Sequence, residues 1–418
     1  MKKPQLKIDV SQDGELISDA LINKYGLRRN DLFYSNDGNV YANFVGVVQR
    51  GNEILISMPK HFMKIHDFKK CDNSKKKEYI RLIMDSINES TKGYQNSDYQ
   101  FKDNDNTTFA LAAYFKVYDY FSKYGLYHEV RQEIKPNKGN KISWKDTLHR
   151  STKFITGGNL IFSPLFYKKK TTDETIITDC MIFIINYTSQ LLGELMTLPS
   201  NSRIADRGIK PSILGNTAII NRLQEILSRT FKDINQQLIK NIIIFLKQVN
   251  SSPWKVPDIK YYTYSSVWEQ AVQKYLINHF KGIDESKNVI FTPELEYTNS
   301  FIKKPMYYNT VKNHQDWYLE PDHFLIEEAT KHIYVFDSKY YRQLNDLNHK
   351  QFVYHVLLSN KYPKYEIFDS LVMPSENPTR TEEYVNISDE YLLSREMPIN
   401  IYLTRLNMIE VLYDYVKK

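Results

Sequence analysis

The sequence predicts a multidomain α+β protein: a small β-rich N-terminal region, a mainly helical middle region and a C-terminal α/β core. Three observations carry this. Residues 40–48 and 54–58 are rich in β-branched and aromatic residues and flank a glycine-containing polar break, the pattern of a hairpin. Between 75 and 248, apolar residues recur largely at helical spacing. From Ser266 to Val372 the pattern reads helix, strand, strand, helix, strand. The expected regions are 1–68, 69–255 and 256–418.

In chain order, the N-terminal hairpin ends at Pro59-Lys60-His61-Phe62. Residues 75–124 read as helical, with an amphipathic run over 107–124 and Gly125 as its C-cap. Residues 139–148 read as strand or loop leading into a helix. Residues 172–248 read as further helices, the last over 217–248. Asn250 to Asp258 carries Pro253 and Pro257 and reads as the linker into the C-terminal core.

A length of 418 residues allows two or three domains, and 42% hydrophobic with 25% charged residues is ordinary globular composition. The net charge of +7 fits a nucleic-acid partner, and the 32 tyrosines offer rings for base stacking, although core packing accounts for them as readily. Lys75–Lys77 and Lys168–Lys170 are short basic runs that read first as solvated faces. Cys71 and Cys180 are far apart and lack zinc-site spacing, which fits a reducing compartment. No apolar leader follows Met1, and the longest apolar runs, 180–186 and 241–246, are too short to span a bilayer. A cytoplasmic protein without a membrane partner is expected.

The chemistry concentrates after the linker. Phe324 to Ile326 and His332 to Phe336 read as two strands joined by a polar turn over 327–331. Such a hairpin brings Asp322, at the entry of the first strand, near Asp337, at the exit of the second. Alternation puts Asp337 and Lys339 on one face and Ser338 on the other. Two carboxylates suit Mg²⁺, which takes oxygen ligands and keeps several waters. A lysine beside them suits a phosphate whose oxygens gain charge. A solvated Asp-x-Lys ion pair on an ordinary hairpin is the bland alternative. Upstream, Ser266-x-x-Glu269 opens an amphipathic helix and also has the form of a capping box. His314, His323, His332, His349 and His355 lie around this segment and are assigned no role; Trp144 and Trp268 read as core residues.

Pro321-Asp322 with Asp337-Ser338-Lys339 resembles the PD-(D/E)xK pattern of metal-dependent nucleases. That superfamily often carries an acid on the helix before the core strands, which implies a water-mediated metal role for Glu269; this does not exclude the capping role. Nucleases of the RecB type place a glutamine and a tyrosine on the following helix, at Gln-x-x-x-Tyr. Here Gln351 matches and Tyr354 falls one residue early, with His355 at the fourth position. Three stretches together resemble the LlaJI family of restriction endonucleases, relatives of the nuclease subunit of McrBC-type systems. They are F-V-G-V-V…I-L-I-S-M-P-K-H-F, I-S-W-K-D-T-L and W-E…P-D…D-S-K…K-Q-F-x-Y. The resemblance implies Mg²⁺-dependent cleavage of foreign double-stranded DNA. It further implies an AAA+ GTPase or ATPase subunit that docks on the N-terminal region, and a cognate DNA methyltransferase in the same system. No G-x-x-x-x-G-K-[ST] loop occurs in the sequence, so a partner would supply nucleotide hydrolysis. Arg50 and Lys60 flank the hairpin and are candidates for partner contact. A free-standing RecB-like processing nuclease and a non-catalytic DNA-binding scaffold are the competing readings.

Overall fold

The computed structural model describes residues 7–51, 53–95, 110–193, 195, 197–198, 201–251, 258–293, 299–312, 314, 316–344, 349–392 and 398–417. Pro253 and Pro257 of the expected linker, Thr107 and Asn348 lie outside the described residues. The chain forms two compact units. One comprises Met1–Thr108, Glu194–Thr197 and Asp258–Lys418; the other comprises Phe109–Gly193 and Leu198–Pro257. The sequence-derived boundary at 68 is therefore not a division between bodies, because the N-terminal region shares a unit with the C-terminal core.

The reason is a strand borrowed across the sequence. The N-terminal sheet contains β1 (Lys7–Gln12), β2 (Val45–Arg50), β3 (Glu53–Met58) and β4 (Ile259–Tyr261), in the order β1-β3-β2-β4. β1 runs parallel to β3, while β2 is antiparallel to both β3 and β4. The expected hairpin is present as β2–β3, turning at Gly51 with φ 60°. Val40–Ala42, read as its start, instead pairs with Leu32–Tyr34. Gly46 has φ 144°, and a Cβ there would lie 1.9 Å from the Ile259 carbonyl oxygen, so only glycine permits this approach of β4. Behind the sheet, the buried Lys260 ammonium meets Asp31 at 2.7 Å, and the Tyr262 hydroxyl donates to the same carboxylate at 2.7 Å.

After α1 (Asn73–Gln95), the same unit resumes with α2 (Tyr264–His279) and a five-stranded sheet. Its strands are β5 (His323–Glu327), β6 (His332–Ser338), β7 (Glu366–Ser375), β8 (Arg380–Asn386) and β9 (Asn400–Asn407), in the order β5-β6-β7-β9-β8. β5 and β6 are antiparallel, and β6, β7 and β9 run parallel. Helix α3 (His349–Lys361) makes the crossover from β6 to β7 that parallel pairing requires. The chain ends in α4 (Met408–Val416). Period-2 alternation divides the core strands between two faces. Phe324, Ile333, Val335 and Ile367 pack against Tyr354 and Leu358 of α3. On the other face, Phe280, Phe301, Tyr334 and Phe336 form a ring cluster with centroids 4.8–5.8 Å apart. The expected helix-strand-strand-helix-strand order is present, with two short hairpins inserted between α2 and β5.

The second unit is less helical than the sequence pattern implied. Helices Ala110–Tyr124, Ile176–Leu192, Thr217–Ser228 and Asp233–Ser251 are present, and the single helix expected over 217–248 is broken at 229–232. Between the first two helices lies β structure: His128–Pro136 pairs with Phe166–Glu174, and Thr152–Thr156 pairs with Asn159–Ser163. Two of these strands, Thr152–Thr156 and Phe166–Glu174, contain no buried residue, so they carry no buried apolar stripe to announce them.

Candidate active site

The β5–β6 register pairs His323 with Phe336, so one further step sets Asp322 across from Asp337 at the open end of the hairpin. The Ser338 N–H donates to the Asp322 carboxylate at 2.9 Å. Asp337 is 3% exposed, and its carboxylate is ion-paired with the Lys339 ammonium. The Lys339 N–H donates to the Val372 carbonyl of β7 at 2.8 Å, continuing the parallel ladder past the end of β6. Trp268 of α2 donates its indole N–H to that same carbonyl at 3.3 Å. Ser338 projects to the opposite face, where its hydroxyl meets His323 Nε2 at 2.8 Å.

The electrostatics follow from crowding. The Asp322 carboxyl is pushed up to about 7, first by burial and then by the Asp337 and Glu269 carboxylates; Lys339 and the Ser338 N–H pull the other way. His323, fully buried and tied also to Gln273, is depressed to about 3 by burial, with the Lys303 charge adding to it. It is a neutral core histidine, with both ring nitrogens occupied.

Glu269 reaches the site from α2, but not as a cap. The helix starts at Tyr264 with Thr263 as N-cap, so Ser266 lies inside the first turn and donates its hydroxyl to the Thr263 carbonyl at 2.8 Å. Glu269 is instead ion-paired with Lys303. Burial opposes the Lys303 charge, yet Glu269, with Asp322 and Glu320, holds that ammonium above the ordinary lysine range. Lys303 was missed in the sequence; its only signal is the Lys303-Lys304 pair upstream of the strands.

Gln351 sits in the first turn of α3, with Tyr354 and His355 three and four residues on, on the same helix face. Gln351 is fully buried, and neither amide atom has a hydrogen-bond partner among the described residues. A buried amide left so is costly unless something polar meets it. The Tyr354 hydroxyl donates to the Glu320 carbonyl at 3.0 Å, which steadies the chain two residues before Asp322. His355, at the position of the expected tyrosine, is bound instead to buried Asp369 of β7. Of the other histidines, His332 pairs with Glu366, and the His314 ring lies tilted against Trp317.

The donor set fits a hard cation. Asp322 and Asp337 present carboxylate oxygens whose mutual repulsion a divalent ion would relieve, and Mg²⁺ commonly takes only one or two carboxylates directly. Among the described residues no three histidine, cysteine or acidic side chains converge as a closed cage. Both cysteines are free thiols. Arg50 and Lys60 are both paired within the fold. The Arg50 guanidinium grips Asp258 at 2.6 and 3.1 Å, and Lys60 lies 3.7 Å from Asp13 and 4.7 Å from the Tyr340 ring centroid. No helix among the described residues is long and apolar enough to cross a membrane.

None of the curated proteins matches this sequence. Two of the solved structures that match this chain are as follows. A chain in the half-complex of the tetradecameric assembly of Thermococcus gammatolerans McrB AAA+ hexamers with bound McrC aligns over 98% of this chain and 98% of that one, with 12% identity and a TM-score of 0.40. A chain of the T. gammatolerans McrBC complex aligns over 62% of this chain and 84% of that one, with 12% identity and a TM-score of 0.28. The sequence model of the LlaJI restriction endonuclease matches residues 44–377, which span β2 through β7 and every site residue named above, and this chain belongs to that family.

Proposed function

We propose that this chain is the nuclease subunit of a restriction system, hydrolysing phosphodiester bonds of foreign double-stranded DNA with Mg²⁺ and working with an AAA+ partner that hydrolyses GTP or ATP. The observation that carries the reading is the placement of Asp322, Asp337 and Lys339 at one sheet end in a chain of the LlaJI restriction endonuclease family. Asp322 and Asp337 would hold the ion, and Glu269 would support it through water. When bound, Mg²⁺ supplies a polarised phosphoryl oxygen and an activated water. Lys339 offsets the charge that grows on the phosphate oxygens as the bond breaks. Its pairing with Asp337 holds the ammonium at that end of the sheet. The buried, unpartnered amide of Gln351 offers a donor and an acceptor to orient water or phosphate. The partner subunit and a cognate methyltransferase enter this reading from the family, since the sequence has no nucleotide-binding loop of its own.

Plasmid cleavage in Mg²⁺ tests it, comparing the wild-type chain with Lys339→Ala and Asp337→Asn, with and without the AAA+ subunit and nucleotide. Both substitutions are expected to lower the rate at least about a hundredfold. Asparagine is chosen because Asp337 is buried and the amide keeps its volume and polarity, where a truncation would leave a cavity. Wild-type cutting by Lys339→Ala would falsify the assignment. Lys339-dependent cutting by the chain alone would replace the partnered nuclease with a free-standing one.

A further inference from the structure

The three residues that follow Lys339 are each held by the N-terminal region. The Tyr340 ring is buried, 7% exposed, against Tyr264 of α2 with centroids 5.5 Å apart. Its hydroxyl oxygen accepts the Lys60 N–H at 2.8 Å and lies beside the Asp13 carboxylate. His61 Nε2 lies 3.1 Å from the Tyr341 carbonyl and 3.1 Å from the Arg342 carbonyl. Both partners only accept, so Nε2 carries the proton and donates to both. His61 does this from the left-handed region, φ 58°, which a β-carbon makes costly and which persists only where surrounding contacts enforce it. Arg342 is ion-paired with Glu15, and a Cβ on Gly14 would come within 3.0 Å of Arg342 Nε. Residues 13–15 and 60–61 thus form a clamp on 340–342.

We infer that Tyr340 is a positioning residue for Lys339, and that the N-terminal sheet region is through it a working part of the catalytic site. This rests on the nuclease reading above. On its other side, Lys339 is fixed through its backbone N–H to Val372 and through its ammonium to Asp337. The Tyr340 anchor completes the grip, so the direction of the Lys339 side chain depends on residues more than 270 positions earlier in the chain. Whatever moves the 13–15 and 60–61 turns moves the lysine.

The test is steady-state plasmid cleavage by the full-length chain, in the condition in which the wild type cuts, for Tyr340→Phe, Glu15→Gln, Tyr264→Phe and Lys339→Ala. Tyr340→Phe keeps the ring and loses the hydroxyl; kcat is expected to fall about tenfold with KM for DNA unchanged. Glu15→Gln releases Arg342 at a partly exposed pair, where folding is not at risk, and should lower kcat by a smaller factor. Tyr264→Phe keeps the ring that packs on Tyr340 and loses only a 2.8 Å hydroxyl contact with Ser86; it should cost comparable thermal stability and leave kcat in place. Unchanged kcat in both Tyr340→Phe and Glu15→Gln, with Lys339→Ala inactive, overturns the positioning role and leaves the nuclease reading standing. An equal fall in Tyr264→Phe and Tyr340→Phe reduces the effect to packing and also overturns it. Full activity in Lys339→Ala removes both.

Discussion

Asp322 is the residue whose chemistry is most displaced from its ordinary behaviour. Its carboxyl titrates near 7 in the folded chain and near 4 when unfolded. Between those values the native state keeps a proton that the unfolded state has lost. The stability this contributes is full below about pH 4 and disappears as pH rises through about 7. In metal-free buffer, Asp322→Asn should therefore match the wild type at low pH and melt progressively higher than it from pH 5 to 8. A melting difference that stays flat across that range would show that Asp322 is not crowded by Asp337 and Glu269. Adding Mg²⁺ should shrink the difference, since a cation relieves the same repulsion. The sequence made Asp322, Asp337 and Lys339 legible because strand alternation is a local rule. The same rule says nothing of burial: a sheet end looks solvated in sequence, but Asp337 is closed over by the packed residues around it. Glu269 was placed correctly at the N-terminal end of α2, yet its partner, Lys303, comes from 34 residues away, and no spacing rule announces that contact.

At the scale of elements, the most demanding contact is that of β4 on β2. Gly46→Ala would drive a Cβ into the Ile259 carbonyl, so the pairing must open or the backbone must shift. The expected result is faster amide hydrogen exchange at Ile259 and Tyr261, with a loss of global stability of about 1–3 kcal/mol, as for other overpacked sites. Unchanged exchange there would mean that β4 is not held by this sheet. Elements with a buried apolar face were readable: β2–β3, β5, β6 and α3 all follow their period. Those without one were not. Phe166–Glu174 alternates exposed and half-buried residues through a lysine–threonine run, and nothing in its hydropathy marks it as a strand. The break at 229–232 escaped notice because the two helices it separates carry apolar stripes of the same period.

On the scale of the molecule, the N-terminal region is expected to be inseparable from the C-terminal core. A chain lacking residues 1–68 loses β1, β2 and β3, leaving β4 unpaired, Lys260 without Asp31 and Tyr340 without Asp13 and Lys60. The truncated chain should be poorly soluble and inactive. A soluble truncation with wild-type cleavage would restore the modular picture read from the sequence. That picture failed because composition changes mark where a chain alters character, not which distant segments share a core.

The borrowed strand also sets the order of events at the ribosome. β2 emerges with one edge paired to β3 and the other open, and residues 259–261, which cover that edge, are made about two hundred residues later. Through that interval the nascent chain displays an apolar strand with unsatisfied amides, the kind of edge that invites association with other chains. A pause or a frameshift before residue 258 would leave this edge open for good. Synthesis of the catalytic half is thus also what shields the first half from aggregation, and a truncated product would be cleared rather than accumulate as a stable fragment.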